Sequence, residues 1–347
     1  MIEKLIVNFG FSMSACKLIS SYLHGRYQFV CVNNIKSNLL QLHSGVPQGC
    51  VLGPILFILY INDLPGLINS TSCKSFLYAD DVALLFSSNR DFPDVLENNI
   101  NYTLSVVSDW AFLNSMSLNG EKTKAIVFNP FDRFAVDLDI FIDGVRVEFL
   151  NRVRCLGVIL DSKLNFEAHI DQTFCRVLQT LRKIHSTNVF YPHHVIYRLA
   201  YSLLMSQVFY GLEVISGTVS TNLSRLNRIV NTIVRFVYNV RRRDHISLYV
   251  ERFLGCSFPN FLKLRCLIHF YRAMGTGFPL PLLNGFTFSR SIRNPQIVIP
   301  RIINTFYERS FLIRVARVWN YLPLELRIFS HSNNAFRKKL LNFYSNE

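Results

Sequence analysis

The sequence predicts an α+β fold with a mostly helical second part, and three observations support this. Residues 1–160 alternate helical apolar patterns with short β-branched and aromatic runs, separated by turn signals typical of antiparallel hairpins. Beyond Phe166, apolar side chains recur mainly at helical spacing. Of the 347 residues, 50% are hydrophobic, so the chain can bury a large core and has room for two domains or for one domain with an appendage.

The elements of the first part follow from apolar spacing and turn residues. Leu5, Phe9 and Cys16 recur near helical spacing, whereas the run from Tyr27 to Val32 is typical of a strand. The predicted elements are, in chain order, a helix over 1–24, strands over 27–32 and 39–43 around an Asn33-Asn34 turn, a buried helix over 51–64, a hairpin over 76–86, a helix over 91–114, a strand over 124–128, a hairpin over 140–149 around Asp143-Gly144, and a strand over 153–160.

The second part is predicted to be a series of helices. A stretch over 275–300 is rich in Gly, Pro and Asn, which favours irregular structure there. The predicted helices cover 166–186, 192–215, 221–240, 306–318 and 333–344.

Charge is distributed unevenly along the chain. Residues 1–150 hold 10 Lys and Arg against 14 Asp and Glu, whereas residues 151–347 hold 27 against 9. An acidic first half suits cation chemistry, and a basic second half suits a polyanion such as nucleic acid. A merely soluble surface and a membrane-surface role remain alternatives for the basic half.

The cysteines and apolar runs point to an intracellular protein. None of the eight cysteines has Cys-x-x-Cys spacing, and no Cys/His cluster resembles a zinc site. Residues 1–20 lack the pattern of a signal peptide. The longest apolar run, Val51 to Ile61, is shorter than the about 20 residues that span a bilayer. We expect a reduced compartment, cytosol or nucleus, and no membrane partner. The oligomeric state is left open.

Asp80 and Asp81 stand side by side between two apolar, strand-forming runs. Two unit charges about 4 Å apart repel by about 4 kcal/mol at an effective dielectric of 20, and a divalent cation is the natural partner for such a pair. A solvated turn is the alternative, since Asp is a good turn former.

Four segments stand in one order along the chain. They are Ser44-Gly-Val-Pro-Gln-Gly49, Tyr78-Ala-Asp-Asp81, Leu118-Asn-Gly-Glu-Lys-Thr123 and Leu156-Gly-Val-Ile-Leu-Asp161. This order resembles the palm of reverse transcriptases. The sequence segments that flank these motifs include Tyr60-Ile-Asn-Asp-Leu-Pro65, and they resemble the non-LTR (LINE-type, jockey-like) branch of retrotransposons. The resemblance runs from about Phe9 to Ile170 and continues weakly to Trp319-Asn320 and Leu322-Pro323.

The resemblance implies an RNA-directed DNA polymerase that uses two divalent ions, Mg²⁺ or Mn²⁺, for nucleotidyl transfer. Asp80 would be the principal metal ligand and Asp81 the auxiliary one. Tyr78 and Ala79 belong to the same motif, where a small residue at 79 would leave room for the primer end. The implied partners are an RNA template, an RNA–DNA or DNA duplex, and deoxynucleotide triphosphates.

The remaining motifs imply contacts with template and primer. Gly45, Gln48 and Gly49 would hold template or nucleotide, with a plain turn before a helix as the alternative. Lys122 would neutralise or protonate the leaving pyrophosphate, unless it is only a solvated lysine. Leu156-Gly157 would lie in the primer-grip hairpin, with a strand bulge as the alternative.

The basic helical region would correspond to a thumb that grips nucleic acid through its phosphates. We predict three domains: a partial palm over 1–163, this thumb-like region over 164–245, and a helical and irregular tail over 246–347. The arginines expected to contact the nucleic-acid backbone are Arg225, Arg228, Arg235, Arg241, Arg242 and Arg243.

One expected motif is missing. Complete reverse transcriptases have an earlier Phe-x-x-Asp-like motif whose carboxylate bridges both metals, and residues 1–43 do not supply it. Asp63 lies between the Ser44–Gly49 and Tyr78–Asp81 segments, in the wrong place. We therefore expect a C-terminal portion of a larger polyprotein with impaired turnover, and a catalytically dead nucleic-acid-binding remnant is the alternative.

Overall fold

The computed structural model combines helices with two-stranded antiparallel sheets, as the sequence predicts for an α+β protein. It describes residues 1–42, 45–46, 49–69, 71, 73–87, 93–128, 138–187, 191–289, 295–327, 329 and 332–346. Among these residues, no helix has both the length and the hydrophobicity needed to cross a membrane.

The chain forms two compact units. The first comprises Met1–Ala125 and Ala135–Glu148, and the second contains Phe149–Glu347. The predicted three-domain division at 163 and 245 stays a prediction.

The first unit joins short hairpins to a small group of helices. Its helices are α1 (Ile2–Phe9), α2 (Met13–Leu23), α3 (Gly53–Ile61), α4 (Leu64–Ile68) and α5 (Pro93–Leu113). The strands up to residue 149 are β1 (Tyr27–Gln28), β2 (Cys31–Val32), β3 (Ile35–Lys36), β4 (Leu40–Gln41), β5 (Lys74–Tyr78), β6 (Asp81–Leu85), β7 (Lys124–Ala125), β8 (Phe141–Ile142), β9 (Val145–Arg146) and β10 (Glu148–Phe149).

Local turn signals form the turns that the sequence predicts. Asn33 and Asn34 connect β2 to β3 with φ values of 49° and 65°, and Asp143 and Gly144 connect β8 to β9 with φ values of 47° and 79°. Positive φ at both central residues matches the twist of paired strands, and Asn, Asp and Gly tolerate it. The predicted helix over 1–24 divides into α1 and α2 because Gly10, in the left-handed region, ends α1.

The core of the first unit lies between α3, α4 and α5. Its buried members are Ile61, Leu64, Ile68, Cys73, Val107, Trp110 and Ala111, and Leu77 and Leu84 of the β5–β6 hairpin pack against it. The predicted helix over 51–64 forms over the shorter range Gly53–Ile61 as α3, but its predicted burial is only partial. Ile55 and Ile58 of α3 are exposed.

Lys4 links α1 to this core through an ion pair and a hydrogen bond. Its Nζ lies 2.8 Å from Oδ2 of Asp63 and donates to the carbonyl oxygen of Tyr60 at 2.9 Å. Trp110 Nε1 donates to Oδ1 of the same carboxylate at 3.3 Å. Asp63 is therefore engaged in a half-buried structural network between helices.

The second unit begins with a hairpin and continues as helices. Its strands are β11 (Arg152–Cys155) and β12 (Val158–Asp161). Its helices are α6 (Glu167–Ser186), α7 (His193–Leu199), a π-helix (Ala200–Met205), α8 (Ser206–Phe209), α9 (Leu212–Ile215), α10 (Ser220–Tyr238), α11 (Ser247–Leu254), α12 (Phe258–Thr276), α13 (Leu280–Leu283), α14 (Thr305–Glu308), α15 (Phe311–Tyr321), a 3₁₀ turn (Leu324–Leu326) and α16 (Asn333–Ser345).

Two predicted elements of this unit differ from the structure. The predicted strand over 153–160 is wrong, because Leu156 and Gly157 turn the chain back with φ values of 45° and 81°. The predicted helix over 192–215 is interrupted, because Tyr210 is extended and Gly211 has a φ of 67°.

A large apolar core holds the second unit together. Its fully buried members include Ile233 of α10, Phe270 of α12, Trp319 of α15 and Leu340 of α16. Helix α12 has no counterpart among the sequence predictions. Because its buried residues lie on several sides of the helix, its sequence lacks the one-sided apolar stripe by which a surface helix is recognised.

Candidate active site

The acidic pair lies at the tip of the β5–β6 hairpin, as the sequence predicts. Tyr78 pairs with Asp81, so that Ala79 and Asp80 form the two-residue turn. Ala79 has a φ of 51°, a left-handed conformation that costs a non-glycine residue roughly 1–2 kcal/mol. Backbone strain of this kind concentrates at functional sites.

The two faces of this hairpin have different surroundings. Cross-strand partners lie on one face, and successive residues alternate between faces. Leu77 and Leu84 pack on the helical core. Phe76, Tyr78 and Asp81 belong to the opposite face, where Phe76 is 48% and Tyr78 67% exposed. An open face that carries aromatic rings and a carboxylate can accept an extended ligand.

Both aspartates are exposed, and neither forms an ion pair with another described residue. Within the described part of the chain, no group of three or more His, Cys, Asp and Glu side chains is placed to hold a metal ion. Magnesium takes one or two carboxylates together with water and phosphate oxygens, so this donor pair fits such an ion without forming a complete cage. Asp63 does not contribute, because Lys4 and Trp110 engage its carboxylate.

The glycines of the first motif adopt conformations that favour glycine. Gly45 and Gly49 have φ values of 81° and 76°, and a Cβ at either position would meet no atom within 4 Å. Backbone conformation, and not crowding, therefore explains glycine there. Gln48 lies outside the described residues, so its predicted contact with template or nucleotide stays a prediction.

Lys122 projects from a turn that is fixed to the β8–β9 hairpin. The backbone N–H of Lys122 donates to Oδ1 of Asn119 at 3.0 Å. A Cβ on Gly120 would lie 3.0 Å from Cβ of Val145, so glycine permits this close approach. The Lys122 side chain is exposed and can reach an anionic ligand.

Leu156 and Gly157 form the turn of the β11–β12 hairpin, so the alternative of a strand bulge is wrong. Leu156 is 44% exposed. The Tyr210 hydroxyl donates to the carbonyl oxygen of Leu156. The role of this turn as a primer grip stays a prediction.

Helix α6 bonds to the middle of the same hairpin, at the Arg154–Ile159 pair. The backbone N–H of Ile159 donates to Nδ1 of the buried His169 at 3.2 Å, and Arg154 donates to Gln172 at 3.1 Å. Burial lowers the pKa of His169, and the charges of Arg176 and Arg154 lower it further. The ring is therefore neutral at pH 7, so that Nδ1 can accept the hydrogen bond from the N–H of Ile159.

Asp161 organises the turn that leads into α6. Its Oδ1 accepts from the N–H groups of Lys163 and Asn165 at 3.1 and 3.0 Å, and its Oδ2 accepts from that of Phe166 at 2.6 Å. Asp161 ends the fourth sequence motif, and the sequence alone assigns it no role. A carboxylate five residues before a helical pattern was the available signal.

The predicted backbone-contacting arginines divide into two groups. Arg225 is paired with Glu167 and Asp171, and Arg235 donates to the carbonyl oxygens of Arg241 and Asp244. The other four are exposed and form no ion pair with any residue that the structure describes: Arg228, Arg241, Arg242 and Arg243. The second group is better placed to meet phosphates.

Comparison with known proteins assigns the family. Residues 4–160 match the family model of reverse transcriptases (RNA-dependent DNA polymerases). Residues 4–160 are a reverse transcriptase domain. Among curated relatives, the chain is 26% identical over 231 residues to the probable RNA-directed DNA polymerase from transposon BS of Drosophila melanogaster, which covers 63% of this chain and 25% of that protein.

Jockey elements are further relatives of this reverse transcriptase domain. The chain is 30% identical over 161 residues to the RNA-directed DNA polymerase from mobile element jockey of Drosophila funebris, which covers 44% of this chain and 17% of that protein. The Drosophila melanogaster jockey protein is 25% identical over 239 residues, 65% of this chain and 26% of that protein. These relatives support a LINE-type, non-LTR reverse transcriptase domain.

The chain spans about a quarter of the length of the first of these relatives. No solved structure matches it.

Proposed function

We propose that this chain is the part of a retrotransposon RNA-directed DNA polymerase that carries its acidic metal-binding turn. The observation that carries the proposal is the exposed Asp80-Asp81 pair at the tip of a hairpin inside the reverse transcriptase domain. The open face beside that tip supports it, because a primer–template duplex needs unobstructed access to the metal ligands.

Asp80 and Asp81 would hold the divalent cation, Mg²⁺ or Mn²⁺. When bound, such ions activate the primer hydroxyl and neutralise the departing pyrophosphate. The chain's own residues position this chemistry. The small side chain of Ala79 leaves space beside the carboxylates for the primer end, and the exposed Tyr78 ring borders the same face. Lys122 would offer a positive charge to the pyrophosphate.

Template and primer contacts complete the proposal. The left-handed glycines Gly45 and Gly49, together with Gln48, would meet the template or the incoming nucleotide. Leu156 and Gly157 would contact the primer strand. The exposed arginines Arg228 and Arg241–Arg243 would meet phosphates, whereas Arg225 and Arg235 contribute less because protein groups already engage them.

Turnover by the chain alone is expected to be low. In the part of the chain that the structure describes, two carboxylates and no third acidic group form the candidate metal site. Two-metal catalysis depends on the placement of both ions, so a weakly held second ion lowers the rate by orders of magnitude. A nucleic-acid-binding role without catalysis is the second candidate, and the net charge of +18 over residues 151–347 favours it.

Primer extension on an RNA template with Mg²⁺ tests the catalytic proposal. The test compares the parent chain with the Asp80→Asn, Asp81→Asn double variant and with Asp143→Asn. Asp143 is a matched control, because it is an exposed aspartate in a two-residue hairpin turn of the same unit. We expect extension by the parent and by Asp143→Asn, and none by the double variant. Equal extension by all three proteins would refute catalysis at this turn.

A further inference from the structure

We propose that Tyr210 is a positioning residue that fixes the Leu156–Gly157 turn in the conformation in which it meets the primer strand. This inference rests on the proposed function, since it takes the turn to be a nucleic-acid contact. The inference is argued from three contacts within the second unit. The Tyr210 hydroxyl bonds to the carbonyl oxygen of Leu156, and the hairpin and the Tyr210-Gly211 segment approach each other closely at Gly157 and at Gly211.

The turn has a conformation that its own sequence does not favour. Leu156 and Gly157 have φ values of 45° and 81°, the pattern of a type I′ turn. Such turns prefer Asn or Asp at the first central position, because the Cβ of other residues is strained in the left-handed region. A leucine in this position costs roughly 1–2 kcal/mol, which a contact from outside the hairpin can offset.

Tyr210 supplies that contact. Its hydroxyl donates to the carbonyl oxygen of Leu156 in the turn itself. A Cβ on Gly157 would lie 3.1 Å from Cε1 and 3.3 Å from the hydroxyl oxygen of Tyr210, so the ring occupies the space that glycine leaves free. Tyr210 is 55% exposed, so burial of its ring does not explain its position.

Gly211 makes the reciprocal contact. A Cβ on Gly211 would lie 2.9 Å from Cγ2 of Val158, the residue that follows the turn. Gly211 also has a φ of 67°, which directs the chain from the extended Tyr210 into α9. Each glycine therefore lacks a side chain where the other segment approaches, and the Tyr210-Gly211 segment and the hairpin tip fit together.

The geometry leaves the side chain of Leu156 free for a ligand. Helix α6 bonds to the Arg154–Ile159 pair of the hairpin through Gln172 and His169, and Tyr210 bonds to the tip. Leu156 itself is 44% exposed. A strained turn that outside contacts hold in place and that presents an exposed apolar side chain is a preorganised contact, and strain of this kind supports a functional role.

The first test measures the turn without nucleic acid. Trifluoromethyl-phenylalanine is placed at position 156, and its ¹⁹F resonance is compared in the parent, in Tyr210→Phe and in Tyr201→Phe. Tyr201 is a matched control, because it is an exposed tyrosine of the same unit whose ring stacks on Tyr197. We expect a shifted or broadened resonance for Tyr210→Phe alone. An unchanged resonance would overturn the inference whatever the fate of the proposed function.

The second test adds a primer–template duplex. A photoreactive benzoylphenylalanine at position 156 reports contact with a labelled primer, and steady-state primer extension separates KM for the duplex from kcat. We expect crosslinking in the parent, a loss of crosslinking in Tyr210→Phe, and a rise in its KM of about fivefold with a nearly unchanged kcat, as for one lost hydrogen bond.

The outcomes separate the two hypotheses. Crosslinking that survives Tyr210→Phe unchanged would overturn the positioning role and leave the primer contact intact. Absence of any primer crosslink in the parent would refute the primer contact of the proposed function, and with it this inference. A Tyr201→Phe variant that lost crosslinking to the same extent would show a general effect of losing a tyrosine hydroxyl and would also overturn the inference.

Discussion

Replacing Asp161 tests the account of how the hairpin is joined to helix α6. The carboxylate accepts three backbone N–H groups, and the turn it organises contains Leu164 and Phe166 with φ values of 46° and 56°. In the Asp161→Asn variant, the amide oxygen can keep the two bonds to Lys163 and Asn165. The amide nitrogen then faces the N–H of Phe166, so two donors oppose each other.

The expected loss of stability follows from these bonds. A hydrogen bond to a charged group contributes about 1.5–3 kcal/mol, so Asp161→Asn should cost about 2 kcal/mol of the second unit's free energy of unfolding. Asp161→Ala removes all three bonds and releases the strained turn, and should cost about 3 kcal/mol. Asp171→Asn is the control, because its exposed ion pair with Arg225 contributes at most about 1 kcal/mol.

Urea unfolding measures the difference. The chain has two tryptophans, Trp110 in the first unit and the buried Trp319 in the second, so a Trp110→Phe background makes fluorescence report the second unit alone. With a slope of about 2 kcal/mol per molar urea, Asp161→Asn should lower the midpoint by about 1 M. Equal midpoints for Asp161→Asn and Asp171→Asn would refute the role assigned to the Asp161 carboxylate.

Three further predictions concern charge. Lys4→Met should lower the free energy of unfolding of the first unit by about 1–2 kcal/mol, since it leaves the half-buried carboxylate of Asp63 without its ion pair. The control Lys17→Met replaces an exposed lysine and should change this free energy by under about 0.5 kcal/mol. Thermal unfolding measures both. Changing Arg241–Arg243 to Ala should weaken RNA binding and reduce the slope of log affinity against log salt concentration by about 2–3. Arg225→Ala should reduce this slope less, because Glu167 and Asp171 already engage that arginine. Equal slopes for the two variants would refute the division of the arginines into two groups. Burial lowers the pKa of His169 below its ordinary value of 6.5, so the unfolded chain binds the proton more readily than the folded one. The second unit should therefore lose stability as pH falls below 6.5. His169→Gln should make stability depend less on pH, as urea titrations at several pH values would show.

Local chemistry explains which parts of the fold the sequence predicts. Asn33-Asn34 and Asp143-Gly144 contain residues that tolerate positive φ, so a few residues are enough to predict their hairpins. The sequence also predicts the β5–β6 hairpin and the place of Asp80 and Asp81 at its tip, since two strand-forming runs flank this pair of turn-forming residues.

Other parts depend on contacts that are distant in sequence. The β11–β12 turn was predicted as continuous strand because leucine disfavours the left-handed region, and the tyrosine that contacts it lies 54 residues away. Helix α12 is not evident from the sequence because its buried residues lie on several sides and give no one-sided pattern. The engagement of Arg225 by Glu167 and Asp171 likewise needs the three-dimensional fold, since the partners lie more than 50 residues apart.

Iron-dependent cleavage of the backbone tests most directly whether Asp80 and Asp81 hold a divalent cation. Fe²⁺ replaces Mg²⁺ in the presence of a primer–template duplex, and ascorbate with peroxide then generates hydroxyl radicals that cut the chain beside the bound ion. We predict cleavage centred on residues 78–82 in the parent and in Asp143→Asn, competed by added Mg²⁺ and lost in the Asp80→Asn, Asp81→Asn double variant. Cleavage elsewhere, or cleavage at the tip that persists in the double variant, would contradict the account.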